Sequence, residues 1–249
     1  MLAKLFGMVW SELDEVRRAS EMIHHFPNAD KHKVHSLLEL PPLETHFRPA
    51  VVLLVGRLFN CFQERMVVLA AMVQFVFLGM RVHGQVDEGE LGPDERNRLA
   101  VLIGDYYYCR FFALGASAGM TGFLRPLTEI VYRYTEKTVS RAPAAATPET
   151  VRESVRRETA ALIAEACRMA GEVAGAQDDE REILYQLGVD LGMGYGLMER
   201  GMRSEGWRYL QAARGQLAEL PAGTARNALD GLIAYLLNWP GQSVVEVQG

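Results

Sequence analysis

The chain has 249 residues, 49% of them apolar, with 26 basic and 31 acidic side chains and a formal net charge of −5. That length suits one large or two small domains, and the apolar share supports a sizeable core and excludes disorder as the main state. An acidic balance without a basic stripe disfavours nucleic acid as a partner.

Helical periodicity runs nearly throughout, and no period-2 run is bounded by turn residues. A first helix is predicted from about Leu2 to His25, stopping near Pro27. A shorter one runs from about Asp30 to Leu40 and ends at Pro41-Pro42. The stretch RPAVVLLVGRLFN opens a third, with Pro49 tolerated in its first turn. An apolar helix through Met80 follows. Its window, residues 66–80, is short for a hydrocarbon layer of roughly 30 Å, so it reads as a core helix and no transmembrane segment is expected. Pro93, Asp94 and Glu95 mark a start, since acidic side chains suit the positive end of a helix, and that helix runs to about Ser117.

The next helix spans about Thr121 to Ser140, and RAPAAATPE connects it onward. Thr147 is a good N-cap and Pro148 a good first residue for a helix to about Ala174. Helices from Asp178 to about Arg200, Ser204 to Glu219 and Gly223 to Asn238 complete the set, with a loose tail from about 240 to 249. The expectation is an all-α single domain over residues 1–249, with about ten helices and no sheet. No fixed-period repeat points to a solenoid. The start of the chain, MLAKLFGMVWSELDEV, carries no signal-peptide pattern. Cys61, Cys109 and Cys167 are odd in number and form no CxxC pair, which fits a reduced cytosol and three small buried side chains.

Several clusters carry candidate chemistry. His83 and Asp87 stand four apart on one helical face, with Glu88 and Glu90 beyond, a set able to hold a divalent ion. Gly89 and Gly92 signal a helix end, so a solvated acidic loop is the competing reading. Five of the six histidines lie between residues 24 and 46. His32, His35 and Glu39 make no HExxH and read as a solvated face. The stretch GDYYYCRFF puts Asp105 and Tyr106, Tyr107 and Tyr108 on an otherwise apolar helix, as cavity lining, core or subunit interface. Gly188, Gly192 and Gly196 recur every four residues on one face. That implies close approach by a helix or a bound molecule, because helix-interior glycine otherwise costs up to about 1 kcal/mol relative to alanine. There is no Gly-rich phosphate loop and no GxSxG.

Five segments, in order over roughly residues 40–203, resemble the trans-isoprenyl diphosphate synthases. LETHFRPAVVLLVGRLF is similar to the GGKRxRP segment, with Arg48 and Pro49 matching. LAAMVQFVFLGMRVHGQVDE is similar to the helix ending in the first Asp-rich motif, and AVLIGDYYYCRFFAL to the helix after it. ETAALIAEACRMAGEVAGA resembles KTAxL with Glu158 in place of lysine. LGVDLGMGYGLMERGMR resembles the helix carrying the second Asp-rich motif. The resemblance implies a shortened isoprenoid-synthase-type helical bundle. Ordinary members bind Mg²⁺ through carboxylates on facing helices, and the metals hold and help ionise an allylic diphosphate.

The departures are as informative. DDxxD reads Gly84-Gln85-Val86-Asp87-Glu88, and the second motif reads Glu199-Arg200-Gly201-Met202-Arg203. Glu44-Thr45-His46 replaces the Gly-Lys-Arg that grips isopentenyl diphosphate. The loop after the first motif lacks the usual adjacent arginines, Arg96 and Arg98 being partial candidates. Arginines repel Mg²⁺. The four losses, taken as independent, imply no catalytic residue and no bound cofactor in this chain.

The pattern is similar to the small, non-catalytic component I of two-component hexaprenyl or heptaprenyl diphosphate synthases. The resemblance then implies a cytoplasmic, Asp-rich catalytic partner holding Mg²⁺, in menaquinone side-chain synthesis, with a homo-oligomer as the form without it. Arg48 is the candidate diphosphate contact. Phe75, Val76, Gly79, Met80 and Tyr106 are candidates for a product tunnel or interface, where a long-chain prenyl diphosphate would pass. Two other readings stand beside this one: a terpenoid-synthase-like enzyme using His83, Asp87, Glu88 and Glu199, and an isoprenoid-binding protein without a catalytic partner.

Overall fold

The structure is a computed structural model that describes residues 5–21, 30–86, 95–139 and 147–239. Among them there are ten helices and no strand. A 3-10 turn, Gly7–Val9, leads into α1, Trp10–Ser20, and α2 is Lys31–Leu38. Then come α3, Pro42–Leu58; α4, Glu64–His83; α5, Glu95–Ser117; and α6, Leu124–Val139. In α7 the segments Pro148–Val155 and Ala161–Ala174 are joined by a π turn, Arg156–Ala160. The last three are α8, Asp178–Glu199; α9, Arg203–Glu219; and α10, Thr224–Leu237. The first helix is shorter than expected, starting at Trp10 after the 3-10 turn and stopping at Ser20, where Glu21 is extended; the predicted tail and the connector at 140–146 fall outside the described residues.

Local chemistry explains most boundaries. Asp30 accepts from the backbone N–H of His32 and Lys33 to cap α2, and Thr147 closes a capping box with Thr150 to start α7. The third helix differs from expectation. It begins at Pro42, so Pro49 lies inside it rather than in its first turn. Proline removes one backbone bond there, and burial of nearly every residue from Phe47 to Leu58 holds the helix together regardless.

Helices α3 and α4 pack together at the centre, α5 and α7 lie against them, and α8 packs on both α7 and α9. The whole of α4 is longer than the apolar window that marked it. By length and hydropathy it could cross a membrane, but 78% of its apolar window is buried inside the fold. The glycine stripe of α8 has a clear cause. A Cβ at Gly188 would lie 2.5 Å from the Ala164 Cα, and one at Gly192 would lie 2.5 Å from the Ala160 Cα. The stripe therefore admits the backbone of α7, which is the helix-approach reading.

Candidate functional site

One end of the bundle gathers the matched segments. Glu44 and Arg48 come from α3, Phe77 and Arg81 from α4, and Tyr195, Glu199 and Arg200 from the end of α8. Arg48 is 4% exposed, its guanidinium lies 3.5 Å above the Phe77 ring centroid, and its Nε and Nη1 have no hydrogen-bond partner. Burial lowers its pKa, opposed by the fields of Tyr195, Glu44 and Glu199. Arg81 Nη1 is 3.1 Å from Glu44 Oε2. Burial, then the hydrogen bond and charge of Glu44, push Glu199 up to about 7, so Glu199 holds its proton below neutrality. Tyr195 stacks between Phe47 and Trp239, at 4.5 and 5.7 Å between ring centroids.

The two leading positions of the first motif have structural partners. Gly84 ends α4, its N–H donating to the Met80 carbonyl at 2.9 Å, and a Cβ there would collide with the Tyr134 hydroxyl. Gln85 donates to the Leu37 carbonyl at 3.1 Å and accepts from Arg96 at 3.3 Å, which ties α4 to α2 and α5. Asp87, Glu88 and Glu90 lie outside the described residues. His83 Nε2 sits 3.1 Å from Asp105 Oδ1, and its ring stacks on Tyr108.

The second motif is also engaged. Arg200 Nη2 donates to Glu158 Oε2 at 2.8 Å, and Ser154 donates to the other oxygen of Glu158 at 2.5 Å. Arg203 Nη2 donates to the Trp239 carbonyl at 2.9 Å. Glutamate for lysine at 158 and arginine for aspartate at 200 are therefore the two ends of one ion pair. The sequence set these two substitutions in separate segments, and the structure couples them. The described residues do not fit a Mg²⁺ site. Arg200 and Arg203 place cations at this end, and its carboxyls are engaged by arginines, Glu44 by Arg81 and both Glu158 and Glu199 by Arg200. Among the described residues no group of three His, Cys, Asp or Glu side chains is placed to hold a metal.

The candidate tunnel residues Phe75, Val76, Gly79 and Met80 are all buried within this chain. A Cβ on Gly79 would lie 2.5 Å from the Tyr108 ring, so that ring fills the space beside the glycine. The three tyrosines thus divide: Tyr108 packs on Gly79, Tyr107 is core and donates to the Ser20 carbonyl at 3.0 Å, and half-buried Tyr106 accepts from Arg110 at 3.1 Å. Burial raises the pKa of Tyr107 and Tyr108 well above the phenol range. The outer face of α5 exposes Val101, Leu102 and Phe112, with Asp105 and Cys109 between them. Cys109 is therefore exposed, against expectation, while Cys61 and Cys167 are buried.

No family model matches the chain. A prenyl transferase of Synechocystis sp. is 29% identical over 167 residues, 61% of this chain and 52% of that protein. Heptaprenyl diphosphate synthase component 2 of Geobacillus stearothermophilus is 27% identical over 160 residues, 59% of this chain and 50% of that one. The alignments thus span about half the length of the curated relatives the chain matches. Among solved structures, a decaprenyl diphosphate synthase from Rhodobacter capsulatus superposes with a TM-score of 0.75 at 20% identity, covering 95% of this chain and 97% of that one. The geranyl diphosphate synthase small subunit from Antirrhinum majus gives 0.72 at 14%, covering 93% and 98%.

The fold is the all-α bundle of the polyprenyl diphosphate synthases. The sequence relatives and structural neighbours are trans-isoprenyl diphosphate synthases, and the resemblance read from the five segments stands at the level of that superfamily.

Proposed function

We propose that this chain is the non-catalytic small subunit of a heteromeric polyprenyl diphosphate synthase, of the hexaprenyl or heptaprenyl kind. In this reading it works in the cytoplasm beside an Asp-rich catalytic subunit that supplies Mg²⁺ and the chemistry, and it feeds menaquinone side-chain synthesis. The observation that carries the reading is the engagement of the degenerate motifs. Gly84, Gln85, Arg200 and Arg203 each make a contact that maintains the bundle, at positions where carboxylates would have to face a cavity. A unit relieved of catalysis keeps its frame and reuses these positions in this way. The names of two neighbours, a small subunit and a two-component synthase member, favour a heteromer.

The partner's seat in this proposal is the outer face of α5. Exposed Val101, Leu102 and Phe112 recur at helical spacing there, as an interface core does. With the partner docked, α4 and α5 shape the passage for the lengthening chain. Arg48, with two unpaired N–H groups, favours a second role, holding the diphosphate of a long product at the interface.

Size-exclusion chromatography with a purified Asp-rich synthase tests the assembly. Wild-type chain is expected to co-elute with it. Leu102→Glu and Phe112→Glu are expected to elute separately while keeping the wild-type melting temperature. Co-elution of both variants would remove α5 as the seat. Failure of the wild-type chain to associate would count against the heteromer itself.

A further inference from the structure

A cavity of about 250 Å³ is walled by residues of α1, α3, α4 and α5 and by the end of α2. Val16, Leu38, Leu40 and Leu78 make most of its surface apolar. Its polar wall groups are nearly all satisfied internally. Tyr107 donates to the Ser20 carbonyl at 3.0 Å, Ser20 Oγ donates to the Val16 carbonyl at 2.9 Å, and Thr45 Oγ1 donates to the Pro41 carbonyl at 3.4 Å. At the mouth Arg17 is paired with Asp14 at 2.7 Å and with Glu21, so among the described residues no uncompensated charge faces an entering molecule. Gln74 is the exception. It is 2% exposed, and its Oε1 has no hydrogen-bond partner.

A buried amide oxygen without a partner is unfavourable, and native interiors rarely leave one so unless water or a ligand completes it. An apolar protein cavity of about 150 Å³ already admits a benzene ring. We infer that this cavity binds one neutral, mainly apolar small molecule of the size of a fused two-ring compound, whose single hydrogen-bonding group pairs with the Gln74 carboxamide. Neutral chemistry follows from the compensated mouth, which sets this ligand class apart from a diphosphate. The apolar walls supply affinity, and Gln74 selects ligands with a donor or acceptor, because a half-turn of its amide presents either atom.

The test uses the full-length chain with 2-naphthol as probe and naphthalene as its non-hydrogen-bonding counterpart. Saturable binding of 2-naphthol at one per chain is expected. Gln74→Leu should weaken it about tenfold and leave naphthalene binding unchanged. That variant should fold, since it replaces a buried, incompletely bonded amide by an apolar group of similar size. Leu40→Trp, which fills the cavity from its half-buried wall, should abolish binding of both. Absence of saturable binding, or binding that survives Leu40→Trp, would overturn the assignment. Equal 2-naphthol affinity in wild type and Gln74→Leu would overturn it too, showing a greasy or water-filled void and no recognition by Gln74.

Discussion

Glu199 is the carboxyl in the described part of the site whose proton is held by its surroundings. Burial and the neighbouring Glu44 raise it from an ordinary 4.5 to about 7. A raised carboxyl binds its proton more tightly in the folded state than in the unfolded one, so stability falls as pH rises from about 4.5 to about 7. The loss is about 3 kcal/mol. Glu199→Gln fixes a neutral group there, and urea unfolding across that pH range should show the variant lacking this component of the slope. Parallel wild-type and variant profiles would mean that the fold does not raise Glu199. Arg48 shows the same economy of charge. It matched a motif in the sequence, but its stacking on Phe77 and its two free N–H groups could be read only once α3 and α4 were packed.

Element by element, the helices with strong punctuation were readable in advance: Asp30, Thr147-Pro148 and the Pro41-Pro42 break all act at helix ends. Pro49 was not readable. Its placement inside α3 depends on burial that acts across the bundle, which outweighs the local preference for a first turn. The π turn of α7 carried no periodic signal. The coupling of Glu158 to Arg200 was equally hidden, because the pair is 42 residues apart in sequence.

Two predictions follow at this scale. Arg200→Asp should destabilise by setting a carboxylate against Glu158 in place of its cation, and adding Glu158→Lys should restore stability. The double-mutant cycle should give a coupling of about 1 kcal/mol, suited to a partly exposed pair. Additive effects would deny the link. Gly192→Ala meets backbone that cannot yield cheaply, so equilibrium unfolding should show a loss of about 3 kcal/mol. A neutral result would mean that α7 and α8 are less closely packed than described.

For the whole molecule, the frame of a diphosphate synthase is kept while the groups at its reactive end are turned to internal pairing. The sequence made the frame legible through the order of five segments, and it made the departures at Gly84, Gln85, Arg200 and Arg203 legible as missing carboxylates. It could not show that these residues hold the bundle, since hydrogen-bond partners come from distant elements. Product length belongs to this scale as well. Bulky residues at Gly79 would strike the chain's own Tyr108, so Tyr108→Ala is the cleaner probe, opening space beside Val76 and Gly79. In the reconstituted complex it should shift products toward longer chains, read by chromatography of the prenyl alcohols, and an unchanged distribution would remove α4 and α5 from the passage. The central claim is tested most directly by assaying prenyl transfer from radiolabelled isopentenyl diphosphate with Mg²⁺, using this chain alone, the Asp-rich synthase alone and the two mixed. No turnover by this chain alone is expected, with long-chain product in the mixture well above the synthase alone. Turnover by this chain alone would contradict the claim.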